Sequence, residues 1–242
     1  NLTNLTSLRL SYCGTLKNID GLANLTNLTK LNLSSCKALK NVDGLASLTN
    51  LTSLDLSYCD ALKNVDGLTS LTKLTNLELD GCETLQNVDG LANLTNLTKL
   101  NLSNCAVLKN IDSLDNCTNL TSLEMMGCCA LKNVDSLANC TNLTSLNLAI
   151  HYTESSLLEN VDSLANLTNL NSLDLSHSNN LQHLDCSGNP LVSLDISGAT
   201  YLYYLYSDFC QLTTLDVTNN IYLEELDIEV NQFQSIDISQ NT

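Results

Sequence analysis

From Leu5 onward the chain repeats one alternation of apolar and polar positions, L-x-x-L-x-L-x-x-C-x-x-L-x-N-x-D-x-L-x-x-L-x-N. Copies begin at Leu5, Leu28, Leu51, Leu74, Leu97, Leu120 and Leu143, each 23 residues after the last. The next begins at Leu170, 27 residues on, so the seventh copy carries four extra residues near 149–157. Leu191, Leu212 and Phe233 then follow at steps of 21, giving eleven copies in one phase. A fixed period of this length means stacked coils, each burying its apolar side against the next. The reading is one continuous solenoid over 1–242, with mostly 23-residue repeats over 1–169 and 21-residue repeats over 170–242.

Within a copy the pattern changes character. Leu5-Thr6-Ser7-Leu8-Arg9-Leu10 alternates with period two, as a half-buried strand does. Stacked at ~4.8 Å, eleven such strands are expected to form one parallel sheet on the concave side. The second part, such as Asn18-Ile19-Asp20-Gly21-Leu22-Ala23, is too short for a full helix and predicts a turn with a short helical or 3₁₀ segment on the convex side. Asp20, Asp43, Asp66, Asp89, Asp112, Asp135 and Asp162 then stand where a helix N-cap would accept free amides. The 21-residue copies look bipartite. Leu181-Gln182-His183-Leu184-Asp185-Cys186 and Leu223-Glu224-Glu225-Leu226-Asp227-Ile228 also alternate like strands. The phase through Leu170, Leu191, Leu212 and Phe233 is preferred for the concave face, because it continues the earlier one; the pattern leaves the other half open.

Composition and charge narrow the partners. The apolar fraction is 43 %, but only 4 % is aromatic and there is no Trp, which suits a thin core of layered Leu, Ile and Val. Net charge is −16, which disfavours nucleic acid and anionic membrane surfaces. The charge is lopsided: residues 1–132 hold all ten Lys and Arg against twelve acids, while 133–242 hold fourteen acids and no Lys or Arg. No apolar run approaches the ~18 residues of a membrane span, so no membrane insertion is expected. The chain begins and stops inside a repeat and reads as a fragment of a longer protein, its signal, caps and anchor lying elsewhere. Apolar rows near Leu2 and Ile238 then predict end-to-end self-association of the isolated chain.

The run L-x-x-L-x-L-S-x-C followed by V-D-G-L-A-N-L-T-N resembles the bacterial leucine-rich repeats of the internalin class. Leu184-Asp185-Cys186-Ser187-Gly188-Asn189-Pro190-Leu191 with Leu194-Asp195-Ile196-Ser197 resembles the 21-residue, cysteine-containing variety. The resemblance spans essentially the whole chain. It implies an α/β leucine-rich-repeat horseshoe in an extracellular or surface-attached bacterial protein that binds another macromolecule on its concave face. Cys stands where Asn is usual at the turn of most copies, and no contact residue carries over, because those vary within the class.

Cys13, Cys36, Cys59, Cys82, Cys105 and Cys128 share one repeat position, followed in that slot by His151, Ser178, Ala199, Asn220 and Asn241. They read as an inward, reduced cysteine ladder. Coil spacing alone does not exclude disulfides, although the total of eleven is odd. No C-x-x-C occurs, which argues against zinc. The N-L-T triplets match the glycosylation motif but recur because the repeat recurs. Their Asn residues read as turn and backbone hydrogen-bond partners. His151, His177 and His183 have no nucleophile and acid at a motif spacing, and no cofactor loop appears, so neither enzymatic activity nor a cofactor is expected.

Binding candidates come from the outward strand positions. The middle column runs Arg9, Asn32, Asp55, Glu78, Asn101, Glu124, Asn147, Asp174, Asp195, Asp216 and Asp237. Its last four members are all Asp, at a repulsion of a few tenths of a kcal/mol per adjacent pair. The competing reading is that L-D-I-S is simply this repeat's template. A flanking column adds Tyr12, Tyr58, Met126, Ile150 and His177, expected to be exposed, and the insertion adds His151 and Tyr152. Tyr201, Tyr203, Tyr204, Tyr206 and Tyr222 give the C-terminal part an aromatic surface or pack its convex turns. Three functions follow: a module binding a basic protein or a glycan, a spacer carrying other domains, and an acidic surface for divalent cations.

Overall fold

The computed structural model describes residues 2–151 and 155–241. Eight short strands, β1 (Ser7–Arg9), β2 (Lys30–Asn32), β3 (Ser53–Asp55), β4 (Asn76–Glu78), β5 (Lys99–Asn101), β6 (Ser122–Glu124), β7 (Ser145–Asn147) and β8 (Ser172–Asp174), pair in parallel in chain order. Their register is the repeat period itself: Leu8 lies opposite Leu31, and Asn147 opposite Asp174 across the insertion. The central Leu of each strand points into the core while its neighbours face solvent, as the alternation requires.

On the convex side the apolar–polar period breaks at Asn-x-Asp, and 3₁₀ helices form at Asp20–Leu22, Asp43–Leu45, Asp66–Leu68, Asp89–Leu91, Asp112–Asn116, Asp135–Asn139 and Asp162–Asn166. The aspartates do not cap them. Each is the first helical residue, and the preceding Ile or Val makes no side-chain cap bond. The acceptor is the Asn two residues earlier: Asn18 Oδ1 takes the Asp20 N–H at 2.7 Å and Asn160 Oδ1 takes that of Asp162 at 2.6 Å. An Asn side chain two residues upstream reaches the amide that a first-position Asp cannot reach on itself.

The expected single sheet of eleven strands is corrected in the eighth to tenth copies. Among the described residues, β9 (His183–Asp185), β10 (Tyr204–Tyr206) and β11 (Glu225–Asp227) form a separate three-stranded parallel sheet. It lies on the convex limb. Backbone bonds run from Gln86 N–H to Lys63, Glu159 to Lys132, Gln182 to Glu159, Tyr203 to Gln182 and Glu224 to Tyr203, so one column of the coil leads directly into it. In these copies the Asn-x-Asp-x-Leu turn is replaced by period-two runs rich in Tyr, and such runs extend and pair. The preferred concave phase does continue beside β8, but only as the bridge Asp174–Asp195.

Both limbs close over one connected core of Leu, Ile, Val and Cys running from Ile19 to Val217. Leu54, Leu77, Leu123 and Leu184 are fully buried, and burying each such side chain contributes about 2 kcal/mol. Leu5, Leu8 and Leu10 of the first coil are only partly covered. The coils approach one another closely at the 3₁₀ helices. A Cβ on Gly67 would fall 2.4 Å from the Val42 carbonyl oxygen, and one on Gly90 2.0 Å from that of Val65. From the fifth helix Ser takes this place, and the Ser113 and Ser163 hydroxyls donate to the Val88 and Val134 carbonyls at 2.7 and 3.0 Å.

Side chains tie coil to coil in three ladders. The Cys36, Cys59, Cys82, Cys105 and Cys128 thiols each donate to a Leu carbonyl of the preceding coil at 3.2–3.4 Å, and none is disulfide-bonded. Cys13, in the first coil, is exposed. The Asn27, Asn50, Asn96, Asn119 and Asn142 amides donate to Thr carbonyls of the coil before, at 2.8–2.9 Å. The Thr29, Thr52, Thr75, Thr98, Thr121 and Thr144 hydroxyls do the same. In the 21-residue copies the buried amides of Asn189 and Asn220 do the work of the thiol, Asn189 bonding three carbonyls and Asn220 two.

Candidate functional site

Two residues past each concave strand and one more, the chain turns, and this turn builds the rim of the concave face. Tyr12, Ser35, Tyr58, Asn104 and His177 sit there with φ between 58° and 61°, and Gly81 and Gly127 occupy the same slot at 69° and 76°. A left-handed conformation in a bulky residue costs on the order of 1 kcal/mol. It also throws the side chain outward: Tyr12 is 84 % exposed and Tyr58 48 %. Their backbones remain in the ladder, with the Tyr12 N–H on the Ser34 carbonyl and the Tyr58 N–H on that of Asp80.

Ile150 occupies this slot but is 5 % exposed, which corrects its assignment to the surface. A β-branched side chain resists the left-handed turn, and Ile150 alone among the first eight copies does not adopt it. Its N–H still bonds the Ser176 carbonyl, and its side chain turns into the core. Met126 is half-buried, and His177 is exposed with its backbone pressed against Gly198. Tyr152 lies outside the described residues.

The structure brings two of the expected residues together. Tyr58 and His151 line one recess of about 470 Å³ with Gly81, Glu83, Asn104, Ala106 and Gly127. His151 Nε2 lies 2.9 Å from Asn104 Oδ1, and Asn104 Nδ2 donates to Asp80 Oδ1 at 2.8 Å. A hydrogen bond with Asp80, and then its charge, raise the pKa of the Tyr58 phenol. The Tyr58 ring lies over Gly81, where a Cβ would be 2.4 Å away. Asp80 and Asn104 were not legible as partners, because they meet only across coils.

The acidic column has a structural task in eight of its eleven copies. Asp55, Asp174, Asp195, Asp216 and Asp237 each accept the backbone N–H two residues on, at 2.9–3.0 Å, and Asn32, Asn101 and Asn147 do so equally well. The template is therefore an oxygen that closes the turn, and the negative charge is additional. The hydroxyl and amide of Ser197, those of Thr218 and those of Ser239 lower the pKa values of Asp195, Asp216 and Asp237 respectively. Asp195, Asp216 and Asp237 are exposed and Asp174 is half-buried. Among the described residues no three carboxylate, thiol or imidazole side chains converge as a metal would require. No described helix is long and apolar enough to cross a membrane.

Comparison with known proteins agrees with this geometry. The family models that match are Leucine Rich repeats (2 copies) over residues 3–47, Leucine Rich repeat over 47–68, and the Endo-beta-N-acetylglucosaminidase EndoS LRR domain over 83–177. No curated protein sequence matches the chain. Among solved structures, an internalin (InlF) from Listeria monocytogenes is similar over 99 % of this chain and 71 % of its own, at 26 % identity and a TM-score of 0.59. Internalin C2 of the same organism aligns with 90 % of this chain and 77 % of its own, at 24 % identity and a TM-score of 0.42. The functional domain of InlJ from Listeria monocytogenes, described as including a cysteine ladder, covers 97 % of this chain and 70 % of its own, at 22 % identity and a TM-score of 0.27. The chain is a leucine-rich-repeat protein with internalins among its structural neighbours and a buried cysteine ladder running through its repeats.

Proposed function

We propose that the chain is a non-catalytic binding module of a bacterial surface or secreted protein, and that it takes a basic protein or a glycan on its concave face and rim. The observation that carries this reading is the rim slot. Gly, Ser and Asn fill it wherever the fold alone is served, yet Tyr12, Tyr58 and His177 stand there in a strained backbone with their rings in solvent. Exposed aromatic rings on a polar face supply contact area at a small loss of side-chain entropy. The Tyr58–His151 recess adds hydrogen-bonding groups beside a ring, and Asp174, Asp195, Asp216 and Asp237 add negative charge along the same face. Likeness to an internalin at 26 % identity supports the bacterial, extracellular setting.

The test is a panel of immobilised glycans and basic proteins probed with the chain at two salt concentrations. Tyr12→Ser with Tyr58→Ser should weaken the ligand found by about tenfold. Asp195→Asn, Asp216→Asn and Asp237→Asn together preserve the turns and should flatten the salt dependence if the ligand is basic. A ligand indifferent to both variants would overturn the concave reading, and a silent panel would favour a spacer.

A further inference from the structure

We infer that the outward face of β9–β11 is a second interaction surface, on the limb opposite the concave sheet, which takes an arginine-rich segment of a partner protein. It stands independently of the concave reading. The face is set by strand alternation: Leu184 and Leu205 are buried beneath it, while His183, Asp185, Tyr204, Tyr206, Glu225 and Asp227 point away from the core. Register aligns these six in two rows, His183–Tyr204–Glu225 and Asp185–Tyr206–Asp227.

The rings form a continuous surface. His183 touches Tyr204 and Tyr206, with centroids 5.7 and 5.3 Å apart. Tyr204 meets Tyr203 at 6.4 Å, Tyr203 meets Tyr222 at 6.2 Å, and Tyr222 stacks on Tyr201 at 5.7 Å with planes 5° apart. The core does not need them, since Tyr201, Tyr204 and Tyr222 are 50, 36 and 47 % exposed. Carboxylates border the rings: the Tyr204 hydroxyl donates to Glu224 at 3.2 Å, and His183 Nδ1 contacts Asp162.

The change along the column is what selects a partner. The same convex position reads Lys17, Lys40, Lys63, Gln86, Lys109 and Lys132 in the first six copies, then Glu159, Gln182, Tyr203 and Glu224. Backbone bonds join Lys132 to Glu159 and run on through Gln182 and Tyr203 to Glu224. A cationic stripe thus gives way to rings and acids just where the chain has no further Lys or Arg. The complement of such a face is a cation that is also planar. A guanidinium stacks on aromatic rings and pairs its fork of N–H donors with carboxylates, whereas an ammonium offers a point charge. A diffuse acidic field alone would hold Lys and Arg equally.

The experiment measures binding of fluorescent nona-arginine and nona-lysine, equal in charge, to the full chain at about 0.15 M salt. Nona-arginine should bind about fivefold tighter. Tyr204→Ser with Tyr206→Ser should remove that preference, and Tyr204→Leu with Tyr206→Leu, which keeps apolar cover over the strands without a ring, should do the same with the melting temperature kept. In the concave control, Asp195→Asn with Asp216→Asn and Asp237→Asn, any loss of affinity should fall on both peptides alike and leave the arginine preference intact. Equal affinity for the two peptides would overturn the inference. So would a preference that survives the Leu variant, or one lost in the concave control, and the last result would place the site on the concave face instead.

Discussion

At the scale of single residues, the fold is governed by a few positions where one atom too many collides with the next coil. Gly67 is one, with a Cβ site 2.4 Å from the Val42 carbonyl oxygen. Gly67→Ala should lower stability by about 1–3 kcal/mol, as overpacking does, whereas Gly14→Ala, with open space around it, should change little in a urea titration. The leucine positions were legible from the period alone, because each has one role in every copy. The cap role was assigned to Asp20, whereas Asn18 supplies the accepting oxygen. Both recur with the period, and only geometry tells which oxygen reaches which N–H. Ile150 was misplaced for a different reason: its slot was judged by its neighbours, and a β-branched side chain refuses the turn they share.

At the scale of elements, the cysteine ladder behaves as a row of small apolar groups with one weak donor each. Burial pushes the thiols of Cys59, Cys117 and Cys128 up to about 12, and that of Cys140 to about 11. The folded state then holds protons that the unfolded chain releases above its ordinary value of 9.0, so the contribution of these thiols is complete below pH 9.0 and lost as pH rises toward 12. The melting temperature should fall over that interval. At pH 8 a disulfide reagent should modify exposed Cys13 quickly and the buried ladder only on unfolding, and rapid reaction of Cys82 or Cys105 would contradict this. The concave strands were foreseen, and the convex sheet was foreseen only as an open alternative. Periodicity marks a strand but does not say on which limb of the coil it lies, and the 21-residue copies carry two candidate halves each.

At the scale of the whole molecule, charge changes first along the chain, after Lys132, and strand order changes later, at β9. Residues 133–242 carry fourteen acids without a Lys or Arg, and the coils from β9 onward lie within them. Self-repulsion should therefore weigh most on the C-terminal coils, and added salt should relieve it. Raising ionic strength from about 0.01 to 0.15 M, where the screening length shortens from about 30 to 8 Å, should raise the melting temperature and slow amide exchange beyond residue 180 more than before it. Uniform slowing along the chain would show that the lopsided charge does not govern stability. The candidate site was only partly visible from the sequence. Exposed Tyr12, Tyr58 and His177 follow from position in the copy, but the Tyr58–His151 recess joins residues four copies apart and depends on two intervening glycines that make room.

The handover of strand structure from one limb to the other has a mechanical meaning. The two ladders overlap within one coil, where β8 still pairs with β7 on the concave limb and β9 already pairs with β10 on the convex limb. The bridges Asn160–His183 and Asp174–Asp195 sit on the opposite limbs of those two junctions, over a core that runs on unbroken. Under tension, then, every junction through the handover keeps a full ladder on one limb, so the solenoid is spliced there, and each 21-residue coil peeled from the C-terminal end releases roughly 70 Å of extended chain. A ligand held on the convex sheet would load the three-stranded ladder directly, whereas one held across β1–β8 would load the longer ladder and reach the convex one only through the coil they share.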